Sequence, residues 1–101
     1  MATTSKTLFR GAATTNTATV LYTVPSATTA VVTNIVITNT AGSSGTFTLG
    51  LGGTNFATTV TVGAYDSTVL DIKQVLTATQ TITGGASATT VNFHIGGVEI
   101  S

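Results

Sequence analysis

The stretch Gly45–Asn55, GTFTLGLGGTN, alternates apolar with small or polar residues and then meets two consecutive glycines. Phe47, Leu49 and Leu51 fall on one side and Thr46, Thr48 and Gly50 on the other. That period of two is what a strand with one buried face imposes. Burial of the Phe and two Leu would contribute roughly 5 kcal/mol or more. The glycines resemble the start of a phosphate-binding loop, but the flanks argue otherwise. A dinucleotide fingerprint needs a third glycine where Asn55 stands and a helix behind it, whereas FATTVTVG (56–63) reads as another strand. A P-loop needs Gly-Lys-Ser/Thr, and no Lys is near. Gly52-Gly53 is therefore read as a hairpin turn, where glycine supplies positive φ without steric cost.

The same alternation continues outward from this hairpin. In TAVVTNIVITNT (29–40), Val31, Thr33, Ile35 and Ile37 are assigned to one face and Val32, Asn34, Val36 and Thr38 to the other. In VNFHIGGVEIS (91–101) the apolar positions change from odd (Val91, Phe93, Ile95) to even (Val98, Ile100). This predicts a bulge at Gly96-Gly97 that returns the last two side chains to the core. Pro25 marks a turn between strands. Strands are predicted at 5–10, 18–24, 28–39, 45–51, 57–62, 67–73, 79–83 and 90–100. β-branched Thr, Val and Ile dominate while good helix formers are scarce, so no helix is expected. The expected fold is all-β: a single antiparallel β-sandwich, jelly-roll-like, of about seven or eight strands. It should occupy residues 1–101 as one domain, with 1–10 an extended N-terminal arm or an edge strand.

Composition narrows the function more by exclusion. Charged residues are 6% of the chain and the formal net charge is zero, against about 25% charged in an ordinary soluble domain. Thr supplies about a quarter of the residues. Such a surface is wetted by hydroxyls but has little electrostatic repulsion between copies, which suits a protein packed against neighbours. Lys6, Arg10 and Lys73 are the only Lys or Arg, too few for a nucleic-acid footprint. With no Cys there is no disulfide framework or thiolate metal site. No run approaches the roughly 20 apolar residues of a membrane span, and the N-terminus lacks a signal-peptide core. Synthesis in a cytoplasm without membrane partners is expected.

Chemistry has few candidates. Asp66, Asp71 and Glu99 are the only side-chain carboxylates and His94 the only imidazole. A Ser-His-Asp triad is arithmetically possible, but no G-x-S-x-G elbow marks a nucleophile. No acids or His fall at metal-ligand spacing. No enzyme activity, cofactor or metal is expected. Asp66 reads as a turn residue, Asp71 and Lys73 as a weak surface pair, and His94 as a surface or subunit-contact histidine. Lys6 and Arg10 share parity with Leu8, which would give the first strand a basic edge able to meet an acidic partner. Tyr65, beside Asp66, is the one place to look for a stacked sugar. Partner-binding candidates are thus Lys6, Leu8, Arg10, Tyr65 and His94. The repeated Thr-x-Thr pairs lack the constant spacing of an ice-binding array and read as polar β-formers.

LYTVPSATTAVVTNIVITNT (21–40) and the closing VNFHIGGVEIS (91–101) resemble small Thr- and Ala-rich β proteins among the virion structural proteins of tailed bacteriophages. The resemblance extends over most of the chain and provides no catalytic residues. It implies a capsid decoration (cement) protein bound to the major capsid protein lattice, assembled in the host cytoplasm and located in the virion. It also implies a homo-oligomer, with a trimer favoured. A minor tail or tail-tip component and a carbohydrate-binding host-attachment module are the alternatives.

Overall fold

The alternating segments pair along their backbones in a computed structural model that describes residues 3–101. Nine strands form: β1 (Thr3–Ala12), β2 (Val20–Thr23), β3 (Thr29–Asn39), β4 (Gly45–Leu51), β5 (Thr54–Val62), β6 (Ser67–Leu70), β7 (Gln74–Leu76), β8 (Thr81–Ala86) and β9 (Val91–Ile100). One sheet has the order β1-β9-β3-β6, with β7 also on β3, and the other has the order β2-β8-β4-β5. The two antiparallel sheets make a β-sandwich. The strand predicted at 67–73 is divided: β6 pairs with Ile35–Thr38 of β3 and β7 with Ala30–Val32, so one strand position is shared by two short segments.

The pairings β4–β5, β3–β6/β7, β2–β8 and β1–β9 nest inside one another. They are the pairings of one long hairpin, and the further pairs β9–β3 and β8–β4 wrap it into two layers. This is the jelly-roll arrangement. Its tip is the glycine pair of the opening stretch. Gly52 and Gly53 have φ of 59° and 86°, and Leu51 pairs with Thr54 across them, a two-residue turn with positive φ at both centres.

Between the sheets Phe47 of β4 meets Phe93 of β9 edge to face, ring centroids 6.3 Å apart at 76°. Leu49 and Ile82 bury from one side, Ile35, Ile37 and Ile95 from the other.

The inward faces differ from the sequence expectation on two strands. On β3, Ala30 and Val32 are buried, then Ile35, Ile37 and Asn39, so the phase changes at Thr33. Val32, assigned to the opposite face from Ile35, belongs in the core with it. The cause lies opposite Gly96-Gly97: Val32 pairs with Gly97 and Asn34 with Gly96, leaving Thr33 as the extra residue. On the other side Thr7 pairs with Gly96 and Phe9 with Ile95, leaving Leu8 extra. The irregularity therefore belongs to both flanking strands and not to β9, whose alternation continues unbroken. Val98 and Ile100 stay on the outer face, and Glu99 turns inward to reach Tyr22 of the other sheet. Glycine is needed at 97 because a Cβ there would collide with the Val31 carbonyl and lie 2.9 Å from Leu8 Cδ1.

At the end of the sandwich away from the Gly52-Gly53 turn, Asn39 is 1% exposed. Its Nδ2 donates toward the carbonyls of Ser43 (2.8 Å), Gly63 (3.3 Å) and Val62 (3.4 Å), and its Oδ1 accepts from the Ala41 N–H (3.0 Å) and the Thr90 hydroxyl (3.4 Å). One buried amide thus ties together the β3–β4, β5–β6 and β8–β9 loops, satisfying backbone groups that the turns leave unpaired.

Candidate interaction surface

β1 pairs with β9 along its whole length, so Thr3–Ala12 is an edge strand; the first two residues of the expected arm lie outside the described residues. The bulge at Leu8 separates the three residues expected on one basic edge. Leu8 is 7% exposed and packs into the core, which corrects its assignment as a contact residue. Lys6, before the bulge, reaches both carboxylate oxygens of Glu99 at 3.3 Å. Arg10, after it, pairs across the ladder with His94 on the outer face. Arg10 and His94 are thus brought together and Lys6 is sent elsewhere. Tyr65 lies apart from all of them, in the β5–β6 loop, 78% exposed with its ring over Gly42.

Lys6, Glu99 and Tyr22 form a polar clasp across the two layers. The Tyr22 hydroxyl donates to Glu99 Oε2, and the hydrogen bonds from Tyr22 and Lys6, with the Lys6 charge, hold the Glu99 carboxyl below its usual range despite partial burial. Burial first, then the bond to Glu99 and its charge, push the Tyr22 phenol above its ordinary range. The pattern of VEIS had pointed Glu99 to the outside, so sequence reasoning missed this cluster. Asp71 and Lys73 do pair, at 3.6 Å, with side chains 82% and 76% exposed, a weak contact. Asp66 caps its own turn, Oδ1 accepting from Ser67 N–H at 2.8 Å. Four of the six charged side chains are therefore paired with one another, and Arg10 and Asp66 are left outside those pairs.

The outer face of the β1-β9-β3-β6 sheet is where the remaining features gather. Ladder partners place Arg10, His94, Val36 and Val69 in one row across the four strands, and Ser5, Val98, Val31 and Val75 in a second. Val69 and Val75 are 63% and 62% exposed. Between the rows, a depression of about 150 Å³ is lined by Thr7, Arg10, Asn34, Val36, His94 and Gly96. It exists because Gly96 has no side chain and both neighbouring strands bulge around it. This apolar band could have been suspected from the Val in the short strands STVL and QVL, but their outward direction depends on the pairing with β3. A separate groove of about 320 Å³, lined by Leu51, Thr54, Phe56, Ile72 and Gln74, opens beside the β4–β5 hairpin, with Ile72 of the β6–β7 link partly buried against the core.

Among the described residues no group of three or more His, Asp or Glu is placed to hold a metal ion, and no helix is long and apolar enough to cross a membrane. The arrangement offers a mixed face, with exposed valines toward the β6–β7 edge and Arg10 with His94 toward the β1 edge.

No family model matches the sequence, and no curated protein matches it. Two solved structures, each of a pentameric capsid protein isolated from metagenomic phage sequences, are similar to the chain at 18% identity, with TM-scores of 0.38 and 0.39. The matches cover 96% of this chain but 58% and 60% of those proteins, so the chain spans less than two thirds of their length.

Proposed function

We propose that this chain is a non-enzymatic structural protein of a tailed-phage virion, most specifically a decoration protein that binds the major capsid protein lattice as a homo-oligomer and stabilises the head. The observation that carries the homo-oligomeric part of this reading is the outer face of the β1-β9-β3-β6 sheet: four strands wide, with Val69 and Val75 more than 60% exposed and Arg10 and His94 side by side on it. A protein free in solution would ordinarily cover such a surface or fill it with charge. The Thr-rich, nearly uncharged composition supports the same reading, as does the resemblance of residues 21–40 and 91–101 to phage virion proteins. The mechanism is linkage: a protein that binds only the assembled lattice lowers its free energy, by about 2.7 kcal/mol per site at a free concentration a hundred times Kd.

Quantitative mass spectrometry of purified particles, with labelling to locate the protein, tests the proposal. Hundreds of copies on the head are expected. A handful at the end of the tail would sink the decoration role in favour of a tail-tip component.

A further inference from the structure

We propose that the outer face of the β1-β9-β3-β6 sheet pairs with the same face of a second copy about a two-fold axis running parallel to the strands. This rests on the homo-oligomeric part of the proposed function and not on the location in the virion.

The face is self-complementary in its apolar groups. A two-fold axis along the strands lays the β1 edge of each copy over the β6–β7 edge of the other. With the rows aligned, Val98 meets the other copy's Val31, and His94 meets its Val36. Exposed Val69 and Val75, which have no cover within their own copy, come under the β1 strand.

The charges fit the same operator. Arg10 lies at the β1 edge and, among the described residues, is the one Lys or Arg outside an ion pair. Asp71 lies in the β6–β7 link at the opposite edge, 82% exposed and only loosely held by Lys73. Aligned rows set Arg10 over Val69, two residues from Asp71, which is about 7 Å along a strand and within reach of an arginine side chain. Each interface then gains two symmetric Arg10–Asp71 contacts at its rim. A two-fold axis perpendicular to the strands would instead lay β1 over β1 and Asp71 near Asp71, without any opposite charge for Arg10.

The area suffices. Three strands of ten or eleven residues and the shorter β6 and β7 in the fourth position, about 4.8 Å apart at about 3.3 Å per residue, span on the order of 600 Å² per copy. That makes roughly 1,200 Å² in all, the lower limit of a specific interface. The trimer implied by the sequence resemblance would have to be built from other surfaces.

Sedimentation equilibrium of the whole chain tests this. The wild type is expected as a dimer or an even multiple of the monomer. Val69→Asp and Val75→Asp together should give a monomer with an unchanged β-type circular dichroism spectrum, since both side chains already face solvent. Arg10→Asp and Asp71→Arg should each weaken association about tenfold through repulsion at two equivalent contacts. The double variant R10D/D71R should return to within about threefold of the wild type, because the pairing is restored with signs exchanged. A monomeric or strictly trimeric wild type would overturn the pairing, and so would an oligomer indifferent to the valine changes or a double variant no stronger than the singles. Any of these outcomes leaves the copy number on particles free to uphold the decoration role.

Discussion

The phenol of Tyr22, on β2, donates its hydrogen bond to the carboxylate of Glu99, on β9, and so joins the two layers of the sandwich at the end where Lys6 also reaches that carboxylate. Removing the hydroxyl with Tyr22→Phe leaves the ring in place and should cost about 1–2 kcal/mol, since the bond is to a charged group. Urea unfolding of the two proteins measures it; equal midpoints would show that water replaces the phenol without loss.

The same clasp sets a pH window. The Glu99 carboxyl titrates lower in the folded protein, so the stability it contributes is present above the ordinary carboxylate value near 4.5 and is lost as pH falls through the folded value. The Tyr22 phenol titrates higher when folded, so its contribution is present below its ordinary value of 10.0 and is lost as pH rises toward the folded one. Thermal midpoints should be flat between these limits and fall outside both. In Glu99→Gln both limbs should be shallower; an unchanged profile would place the titration elsewhere.

Asn39 holds three loops through one buried amide, so Asn39→Ala should cost about 2–3 kcal/mol by leaving buried backbone groups unpaired. Asn39→Asp keeps the acceptor but sets a carboxylate against the carbonyls of Ser43, Val62 and Gly63. It should be at least as damaging at neutral pH and partly recover on acidification. Calorimetry at two pH values distinguishes the two variants.

Two glycines should answer to substitution for different reasons and by different amounts. Gly97→Ala forces a Cβ against the Val31 carbonyl and Leu8 and should cost about 2 kcal/mol or more. Gly53→Asn meets open space but must keep a positive φ of 86°, which Asn adopts at less cost than most L residues, so a smaller loss of about 1 kcal/mol is expected. Comparable losses in the two variants would contradict the backbone reading of both sites.

Tyr65 is exposed enough that Tyr65→Ala should shift stability by less than about 0.5 kcal/mol. This makes it a clean probe of the host-attachment alternative. No binding by the wild type on a glycan array is expected from a decoration protein. Binding that disappears in Tyr65→Ala with the fold intact would argue for sugar recognition.

β3 was legible because inward and outward residues alternate along it, and the alternation of Phe47, Leu49 and Leu51 with small or polar residues marked β4 as a strand although Thr48 and Gly50 are buried as well. The turn at Gly52-Gly53 was legible for the same reason, with alternation on both sides of it. Where apolar residues occupy both parities, as in Val31, Val32, Ile35 and Val36, periodicity does not say where the phase changes. The bulge at Thr33 is set by a partner some sixty residues away in sequence, Gly96-Gly97. Leu8 was misplaced by the matching bulge on β1. Glu99 was misread because Val98 and Ile100 imitate a core face, while their actual surroundings are decided by the neighbours of β9. The candidate surface depends on those pairings: Arg10 and His94 were singled out by residue type, while the outward direction of Val69 and Val75 follows from the pairing of β6 and β7 with β3.

The nested pairing has a kinetic cost. Among the described residues β1 finds its ladder partner only in β9, with Thr3 opposite Ile100, so it waits until β9 has been made. Pairs so remote in sequence close large loops before any contact compensates for the lost chain entropy, and domains of this kind fold in milliseconds to seconds. The β4–β5 hairpin, closed by two glycines, is the one local pair among the described residues and the natural place for folding to begin. Until the roll completes, Thr- and Val-rich strands with scarcely a charge among them stand open to other nascent chains. Lowering temperature or expression rate should therefore improve the soluble yield more than any change to the finished surface.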